Sequence, residues 1–155
     1  FGSGLTFSSN NIIGAFLNGE YLTNYVDSSY SSMIEDNTTW YLGTVGYGAS
    51  YKLAKYTDTT GNTLISSTTD AKVGLLRIGE LMAGQFDRYE NNTDYWTLTP
   101  YDDQTMVRYM DNYSYLTNTR ISFSYSVRPA LNLKSNVVIT GGDGTKNNPF
   151  TLSVQ

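Results

Sequence analysis

The sequence contains neither cysteine nor histidine. Without cysteine there is no disulfide framework and no cysteine nucleophile, and the redox compartment cannot be inferred from cysteine usage. Without histidine, the Ser-His-Asp triad and the common zinc sites are excluded as well. These two absences remove most hydrolases, and we expect a protein that is not an enzyme and needs no cofactor or metal.

Charged residues are also few. They make up 15% of the chain, and the net charge is -4. Binding to nucleic acid releases counterions from a basic stripe, and no such stripe is present, so a nucleic-acid partner is not expected. Tyrosine is abundant instead, at 14 residues. Much tyrosine with little charge is typical of secreted bacterial β-rich proteins and of binding loops, which favours an extracellular, cell-surface location.

Long apolar runs are absent too. The longest covers residues 12–17, includes a glycine and is far shorter than a membrane span, so no membrane insertion is expected within this segment. No signal peptide is visible, and we interpret the chain as a mature or excised piece of an exported protein, the alternative being a cytoplasmic one. A length of 155 residues predicts one domain. We place it at residues 11–155, after a linker or edge strand at 1–10.

Residues 126–133 alternate apolar and polar side chains, which predicts a core strand with one buried face. Proline cannot donate to a β ladder, so this strand should have an edge or a bulge at Pro129. The face predicted to be buried consists of Val127, Pro129, Leu131 and Leu133.

Apolar residues three or four apart predict a helix that begins after residues 10–11, where an asparagine would cap it. Asp27 would cap a second, short helix that reaches Ile34. The apolar positions of the first helix are Ile13, Phe16, Leu17, Tyr21 and Tyr25.

Strand patterns follow along the rest of the chain. Two helices in the first half and many short, mainly antiparallel strands predict an α+β fold. A loop or solvated hairpin is expected at 56–70, and a flexible segment at 43–51. The predicted strands are 38–42, 72–76 (followed by a helix over 78–83 that ends at Gly84), 95–100, a hairpin of 105–110 with 115–123, and a pair of 136–140 with 150–154.

Four short motifs resemble a family of uncharacterised bacterial domains. They are Leu17-Asn18-x-x-Tyr21-Leu22, Val73-x-Leu75-Leu76-x-x-x-Glu80, Trp96-x-Leu98-x-Pro100 and Val127-Arg128-Pro129-Ala130-Leu131. Such domains occur in surface and secreted proteins of Gram-positive bacteria. They are similar to the C-type-lectin-like fold, which includes the formylglycine-generating enzymes and retroelement-diversified receptor-binding proteins. The terminal Gly-Asp-Gly-Thr-x-x-Asn-Pro-Phe, residues 142–150, is similar to a segment that often follows them.

The resemblance implies a C-type-lectin-like fold without an inherited activity. The formylglycine-generating relatives use cysteine chemistry, which has no counterpart here. Lectins of this fold usually bind calcium through Glu-Pro-Asn or Gln-Pro-Asp, and neither tripeptide occurs. Asp143, Thr145 and Asn147 are spaced like the start of an EF-hand loop, but its central glycine and closing glutamate are missing, so a Gly/Asn turn is the better interpretation.

Several residues with chemical potential have a structural explanation. Glu80 and Arg128 lie in apolar surroundings, and because buried charges are usually paired, we predict a structural ion pair between them. A catalytic carboxylate pair around Asp94 and residues 102–103 is disfavoured, since adjacent residues on a strand point apart. Trp40 and Trp96 lie in alternating strand patterns and are expected to be core aromatics.

Residues 101–125 combine tyrosine, aspartate and asparagine as an antibody-like binding surface does. The alternative is an ordinary solvated hairpin with aromatic cross-strand pairs. The candidate ligand-binding residues are Tyr101, Asp102, Asp103, Gln104, Tyr109, Tyr113, Tyr115, Asn118, Arg120 and Tyr125.

These patterns predict a non-enzymatic extracellular recognition domain of a bacterial surface protein, acting as an adhesin or receptor-binding domain on a protein or glycan ligand. The alternative is a structural subunit of a surface fibre, pilus or stalk that self-associates through residues 1–10 and 141–155.

Overall fold

A computed structural model describes residues 7–42, 66–83, 93–101 and 105–155. Over these ranges the chain is mixed α+β, with helices and several short antiparallel sheets, which confirms the predicted class. The predictions for residues 43–51, for 56–65 and for Gly84 lie outside the described residues. No helix within the described ranges is both long and apolar enough to cross a bilayer.

The first helix is a continuous run of three pieces: α1 (Ile12–Ala15), a π-helical turn (Phe16–Tyr21) and α2 (Leu22–Asn24). Asn11 caps it as predicted, because its side chain accepts a hydrogen bond from the Gly14 N–H at 2.9 Å. The apolar stripe packs only in part: Ile13 and Leu17 are buried, whereas Tyr25 is 68% exposed.

The second helix, α3 (Ser28–Ser31), is capped by Asp27, whose carboxylate accepts from the Ser29 N–H at 2.8 Å. The helix ends at Ser31, earlier than predicted. Ile34 is buried and forms an antiparallel bridge with Leu133, so pairing with a distant segment replaces the last helical turn.

Nine strands form four antiparallel sheets in the described chain, with the pairs β1–β2, β3–β7 and β8–β9 and the meander β4–β5–β6. A third helix, α4 (Ile78–Ala83), lies between β3 and β4. The strands are β1 (Trp40–Leu42), β2 (Ser66–Thr68), β3 (Val73–Leu75), β4 (Tyr95–Pro100), β5 (Met106–Met110), β6 (Leu116–Arg120), β7 (Pro129–Leu131), β8 (Val137–Gly141) and β9 (Thr151–Val154).

Strand β7 is shorter than predicted, and its predicted buried face is only partly right: Val127 packs against the core, but the later residues of that face do not. Leu131 is 36% exposed and Leu133 is 41% exposed. Ala130 packs against the core instead, opposite Gly74 of β3. The Trp40 indole fills the space left by the missing side chain of Gly74, on the side of the strand pair where Ala130 lies. Pro129 begins the strand, where a missing N–H matters least.

Strand β4 is the centre of the core. All six of its residues are buried, although the sequence alternates apolar residues with threonine. The threonine hydroxyls are satisfied: Thr97 donates to the Arg108 carbonyl at 2.7 Å, and Thr99 accepts from the Ile78 N–H at 3.0 Å. These bonds offset the cost of burying a hydroxyl. Both faces of the strand can therefore be covered by other parts of the chain.

The hairpin between β5 and β6 forms as predicted, with its turn at Asp111. One carboxylate oxygen of Asp111 accepts from the N–H groups of Tyr113 at 2.9 Å and Tyr115 at 2.7 Å. Ser114 takes a left-handed conformation, with φ of 64°. The turn therefore displays two tyrosines at the end of the meander.

The last strand pair, β8–β9, also forms as predicted. Its turn contains two glycines with positive φ, Gly142 at 81° and Gly144 at 80°, a conformation that other residues rarely adopt. Asp143 accepts from the Thr145 N–H at 2.9 Å, so its carboxylate closes the turn. The hairpin exposes Ile139, Phe150 and Val154.

Candidate recognition surface

Three aromatic rings form a row beside the β4–β6 meander. Tyr125 stacks on Tyr109 with ring centroids 4.5 Å apart and planes inclined by 22°. Phe123 follows at 6.4 Å from Tyr125, with planes inclined by 11°. The buried Trp96 supports the row, since its ring lies 4.9 Å from that of Tyr125. We call Tyr109, Tyr125 and Phe123 the aromatic row.

Local structure holds the row in place. Tyr109 on β5 stands directly opposite Trp96 on β4. The segment after β6 runs beside β4, where the Trp96 N–H donates to the Ser126 carbonyl at 3.0 Å and the Ser126 N–H donates to the Asp94 carbonyl at 3.0 Å. Phe123 lies at the end of the turn that follows β6, where its N–H donates to the Arg120 carbonyl at 3.1 Å, and the chain continues from this turn to Tyr125.

Two hollows adjoin the row, and Ser124 and Tyr125 border both. The first measures about 530 Å³ and is wide open to solvent; Thr93, Asp94, Ser124, Tyr125 and Ser126 line it. The second measures about 320 Å³ and is more enclosed. Its lining is mostly apolar and includes Ile12, Ile13, Trp96, Phe123, Tyr125 and Val127. The surface therefore pairs a hydroxyl-rich hollow with an apolar one.

The surroundings of the row are negatively charged. The pKa of Tyr109 is raised to about 12, first by burial, then by the hydrogen bond with Tyr125 and by the nearby carboxylates of Asp94 and Asp111. Asp94 is held in place because one of its oxygens accepts from the Asn112 N–H at 2.9 Å. Among the described residues that line the two hollows, Asp94 is the one that carries a charge.

The structure brings some of the predicted binding residues together and separates others. Tyr109 and Tyr125 meet in the aromatic row. Tyr113 and Tyr115 project from the β5–β6 turn, 67% and 58% exposed. Asn118 and Arg120 lie on β6; the Asn118 amide donates to the Met106 sulfur at 3.3 Å, and Arg120 is exposed.

Tyr101 has a structural neighbour. The buried Arg108 places its guanidinium carbon 4.6 Å from the centre of the Tyr101 ring, and Tyr101 itself is half-buried. Asp102, Asp103 and Gln104 lie outside the described residues. We take the aromatic row and the turn tyrosines as the candidate recognition surface.

The predicted buried ion pair between Glu80 and Arg128 is wrong. Glu80 accepts from the Arg77 N–H at 2.9 Å and pairs with the Arg77 guanidinium at 3.2 Å, because it lies in the first turn of α4, three residues after Arg77. The guanidinium carbon of Arg128 lies 4.1 Å from the centre of the Tyr95 ring. Both Glu80 and Arg128 are exposed.

The two tryptophans are core residues, as predicted. Trp40 and Trp96 are 6% and 4% exposed, and the Trp40 indole N–H donates to the Ala71 carbonyl at 2.8 Å.

In the ranges that the structure describes, no three acidic, histidine or cysteine side chains cluster as metal ligands would.

Ile12 and the polar lining of the first hollow were not predicted from the sequence. Ile12 is 74% exposed and borders the second hollow, a contact between distant segments that no local pattern signals. The serines were detectable. Ser124 and Ser126, which line the first hollow, alternate with Tyr125, and this is the period of an extended chain.

Comparison of the chain with protein-family models, with curated proteins and with solved structures found no match. The function is therefore inferred from the residues of this surface.

Proposed function

We propose that the chain is a non-enzymatic recognition domain of an extracellular bacterial surface protein, and that it binds a protein or glycan through the aromatic row and the β5–β6 turn. One observation carries the proposal: Phe123 exposes more than half of its area where it lines the second hollow. Tyr113 and Tyr115 are similarly exposed on the β5–β6 turn, where the Asn112 N–H donates to Asp94 of the first hollow. Aromatic rings displayed next to a concavity are typical of ligand sites.

The residue types support recognition. Tyrosine offers a large, rigid contact surface at low entropic cost, and tyrosine is enriched among the residues that dominate binding energy. The rings of the row are already packed against one another and against Trp96. A surface ordered before binding loses less entropy when the ligand arrives.

We also propose that the fold is C-type-lectin-like. Three of the motifs that resemble this group contribute to one core, in which Leu17 packs with Val73, Leu75, Trp96 and Leu98. The fourth motif adds Val127 and Ala130, half-buried against the same core. A crystal structure that fails to superpose on any C-type-lectin-like domain would reject this part of the proposal.

The recognition function is tested by a binding screen with matched variants. The purified chain is applied to immobilised glycans and used to capture proteins from host-cell extracts. We expect a reproducible ligand that is lost in a triple variant of Tyr113→Ala, Tyr115→Ala and Phe123→Ala. Tyr30→Ala and Tyr41→Ala, both at tyrosines that are 41% exposed and outside the two hollows, serve as controls. A ligand bound equally by the triple variant, or no ligand at all, argues against the function.

A fibre subunit is the second candidate, and the β8–β9 hairpin favours it. Ile139, Phe150 and Val154 are 61%, 50% and 53% exposed on this hairpin. Such side chains suit a joint with a second copy of the chain. Light scattering over a concentration series separates the two candidates, because a recognition domain stays monomeric and a fibre subunit polymerises. Ile139→Ser should then abolish the polymers.

A further inference from the structure

We infer that the ligand of this surface is an uncharged glycan, with a sugar ring against Phe123 and its hydroxyl groups in the hollow beside Asp94. The inference rests on the proposed recognition function and narrows its ligand to one chemical class. It follows from the polar lining of the first hollow, the apolar lining of the second, their sizes and their charge.

The first hollow is lined by groups that complement a polyhydroxylated ligand. Thr93, Ser124, Ser126 and Tyr125 each carry a hydroxyl, which both donates and accepts hydrogen bonds. Asp94 adds a carboxylate that only accepts. Sugar hydroxyls have the same dual character, so each can donate to Asp94 or exchange bonds with the serine and threonine groups. The neighbouring hydroxyls of a sugar ring therefore find several partners in a small space.

The second hollow provides the apolar half of such a site. A sugar ring has a face of C–H groups, and the face of an aromatic ring is electron-rich, so the two attract. Phe123 is the most exposed ring of the row, at 56%, and Ile12 borders the same hollow. Because Tyr125 borders both hollows, one ligand can contact Phe123 and Asp94 together.

The size of the hollows favours a short oligosaccharide over a folded protein. Their volumes of about 530 and 320 Å³ fall within the range of small-molecule sites, about 300–1,000 Å³. A stable protein interface, by contrast, buries about 800 Å² on each partner.

The charge of the site selects against anionic sugars. Among the described lining residues, Asp94 supplies the charge and no lysine or arginine balances it. Asp111 adds to the negative field around Tyr109, and the whole chain has a net charge of -4. Sialylated, sulfated and phosphorylated glycans would meet repulsion here. A basic peptide would be attracted, but one carboxylate among four hydroxyls suits a hydroxyl-rich ligand better than a cation.

The test compares defined probes on the full chain. Neutral oligosaccharides of glucose, galactose, mannose and N-acetylglucosamine are measured by calorimetry beside sialyllactose, mannose 6-phosphate and an oligolysine peptide. We expect at least one neutral oligosaccharide to bind and the anionic sugars not to bind. Phe123→Ala and Asp94→Asn should each weaken that binding at least about tenfold, a loss on the scale of a binding hot spot. Tyr30→Ala should leave it unchanged, and thermal melts of every variant verify folding.

The other possible outcomes distinguish a failure of the glycan inference from a failure of the site or of the recognition function. Binding of oligolysine alone, or of a protein partner alone, overturns the glycan inference but keeps the recognition function. A neutral glycan that binds both variants as it binds the wild type overturns the site. If no probe and no captured protein binds, the glycan inference and the recognition function fail together.

Discussion

The side chain of Asn18 holds both backbone groups of Val73. Its amide nitrogen donates to the Val73 carbonyl at 2.9 Å, and its amide oxygen accepts from the Val73 N–H at 2.9 Å. The same side chain bonds the Gly14 carbonyl at 2.9 Å and the Lys72 N–H at 2.7 Å. Asn18 thus acts as a strand partner for the start of β3 and fastens the first helix to the β3–β7 pair.

Asn18→Ala should lower the free energy of unfolding by about 2–4 kcal/mol, because two or more partly buried backbone groups lose partners at about 1–3 kcal/mol each. Urea melts give the difference directly. Asn24→Ala, near the end of the same helical run and exposed, is the matched control and should change stability by about 0.5 kcal/mol or less. Equal losses in the two variants would show that the Asn18 contacts add nothing specific.

Two glycines should respond in opposite ways to alanine. A methyl group at Gly74 would lie 2.6 Å from two carbons of the Trp40 indole, so Gly74→Ala should destabilise by about 1–3 kcal/mol, the usual cost of overpacking. At Gly19, in the π-helical turn, a methyl group would meet nothing within 4 Å. Gly19→Ala should therefore stabilise by about 0.4–1 kcal/mol. Thermal melts of both variants check the pair, and a shift of the same sign in both contradicts it.

The tyrosines of the meander should divide into structural and exposed groups. Tyr113→Ala with Tyr115→Ala should change the free energy of unfolding by about 1 kcal/mol or less in total, since exposed substitutions usually cost no more than about 0.5 kcal/mol each. Tyr109→Ala should cost about 1–3 kcal/mol, because its ring contacts with Trp96 and Tyr125 are worth about 0.5–1.5 kcal/mol each. A large loss in the double variant, measured by urea melts, would instead make the turn tyrosines part of the folded core.

Alkaline pH should destabilise the protein through Tyr109. Its pKa is raised to about 12 in the folded chain, from 10.0, by burial and by the hydrogen bond with Tyr125. Above pH 10 the unfolded chain releases this proton while the folded chain retains it, so the stabilisation is complete below about pH 10 and is lost as the pH rises toward 12. Burial also raises the pKa of Tyr95, against the charge of Arg128, and acts in the same direction.

The measurement compares wild type with Tyr109→Phe, which keeps the ring and removes the proton. Urea melts at neutral pH give the reference difference between the two proteins. The difference in the free energy of unfolding should become smaller at alkaline pH, since only the wild type loses stability through ionisation of the Tyr109 hydroxyl. A constant difference across the alkaline range would mean that Tyr109 ionises as readily in the folded chain as in the unfolded one.

Much of the local structure follows from the sequence. The Asn11 cap, strand β4 ending at Pro100, the hairpin at Asp111 and the pair β8–β9 all depend on residues close together in the chain, where periodicity and turn chemistry operate. The predictions that were wrong concern features that depend on contacts between distant segments of the chain. Leu131 is exposed although its cross-strand partner Val73 is fully buried, and α3 ends early because Ile34 pairs with Leu133.

The candidate surface likewise contains residues that the sequence predicted and residues that only the tertiary fold brings in. Tyr109 and Tyr125 were selected from composition, whereas the turn after β6 brings Phe123 beside them. Ile12 and Asp94 join this surface only through the tertiary fold, as lining residues of separate hollows. For Glu80, by contrast, a distant partner was predicted and the actual partner is close in the sequence. Its apolar surroundings suggested a distant partner, whereas a residue three positions away, Arg77, was available to it.

The link between Asn18 and Val73 also bears on how fast the chain folds. The two residues are 55 positions apart, so a long loop must close before their contact stabilises anything. Strands β4, β5 and β6 follow one another and need only short turns. Local contacts form early and distant pairings form late. The meander should therefore gain hydrogen-exchange protection first during refolding, and Asn18→Ala should speed unfolding while leaving the folding rate almost unchanged.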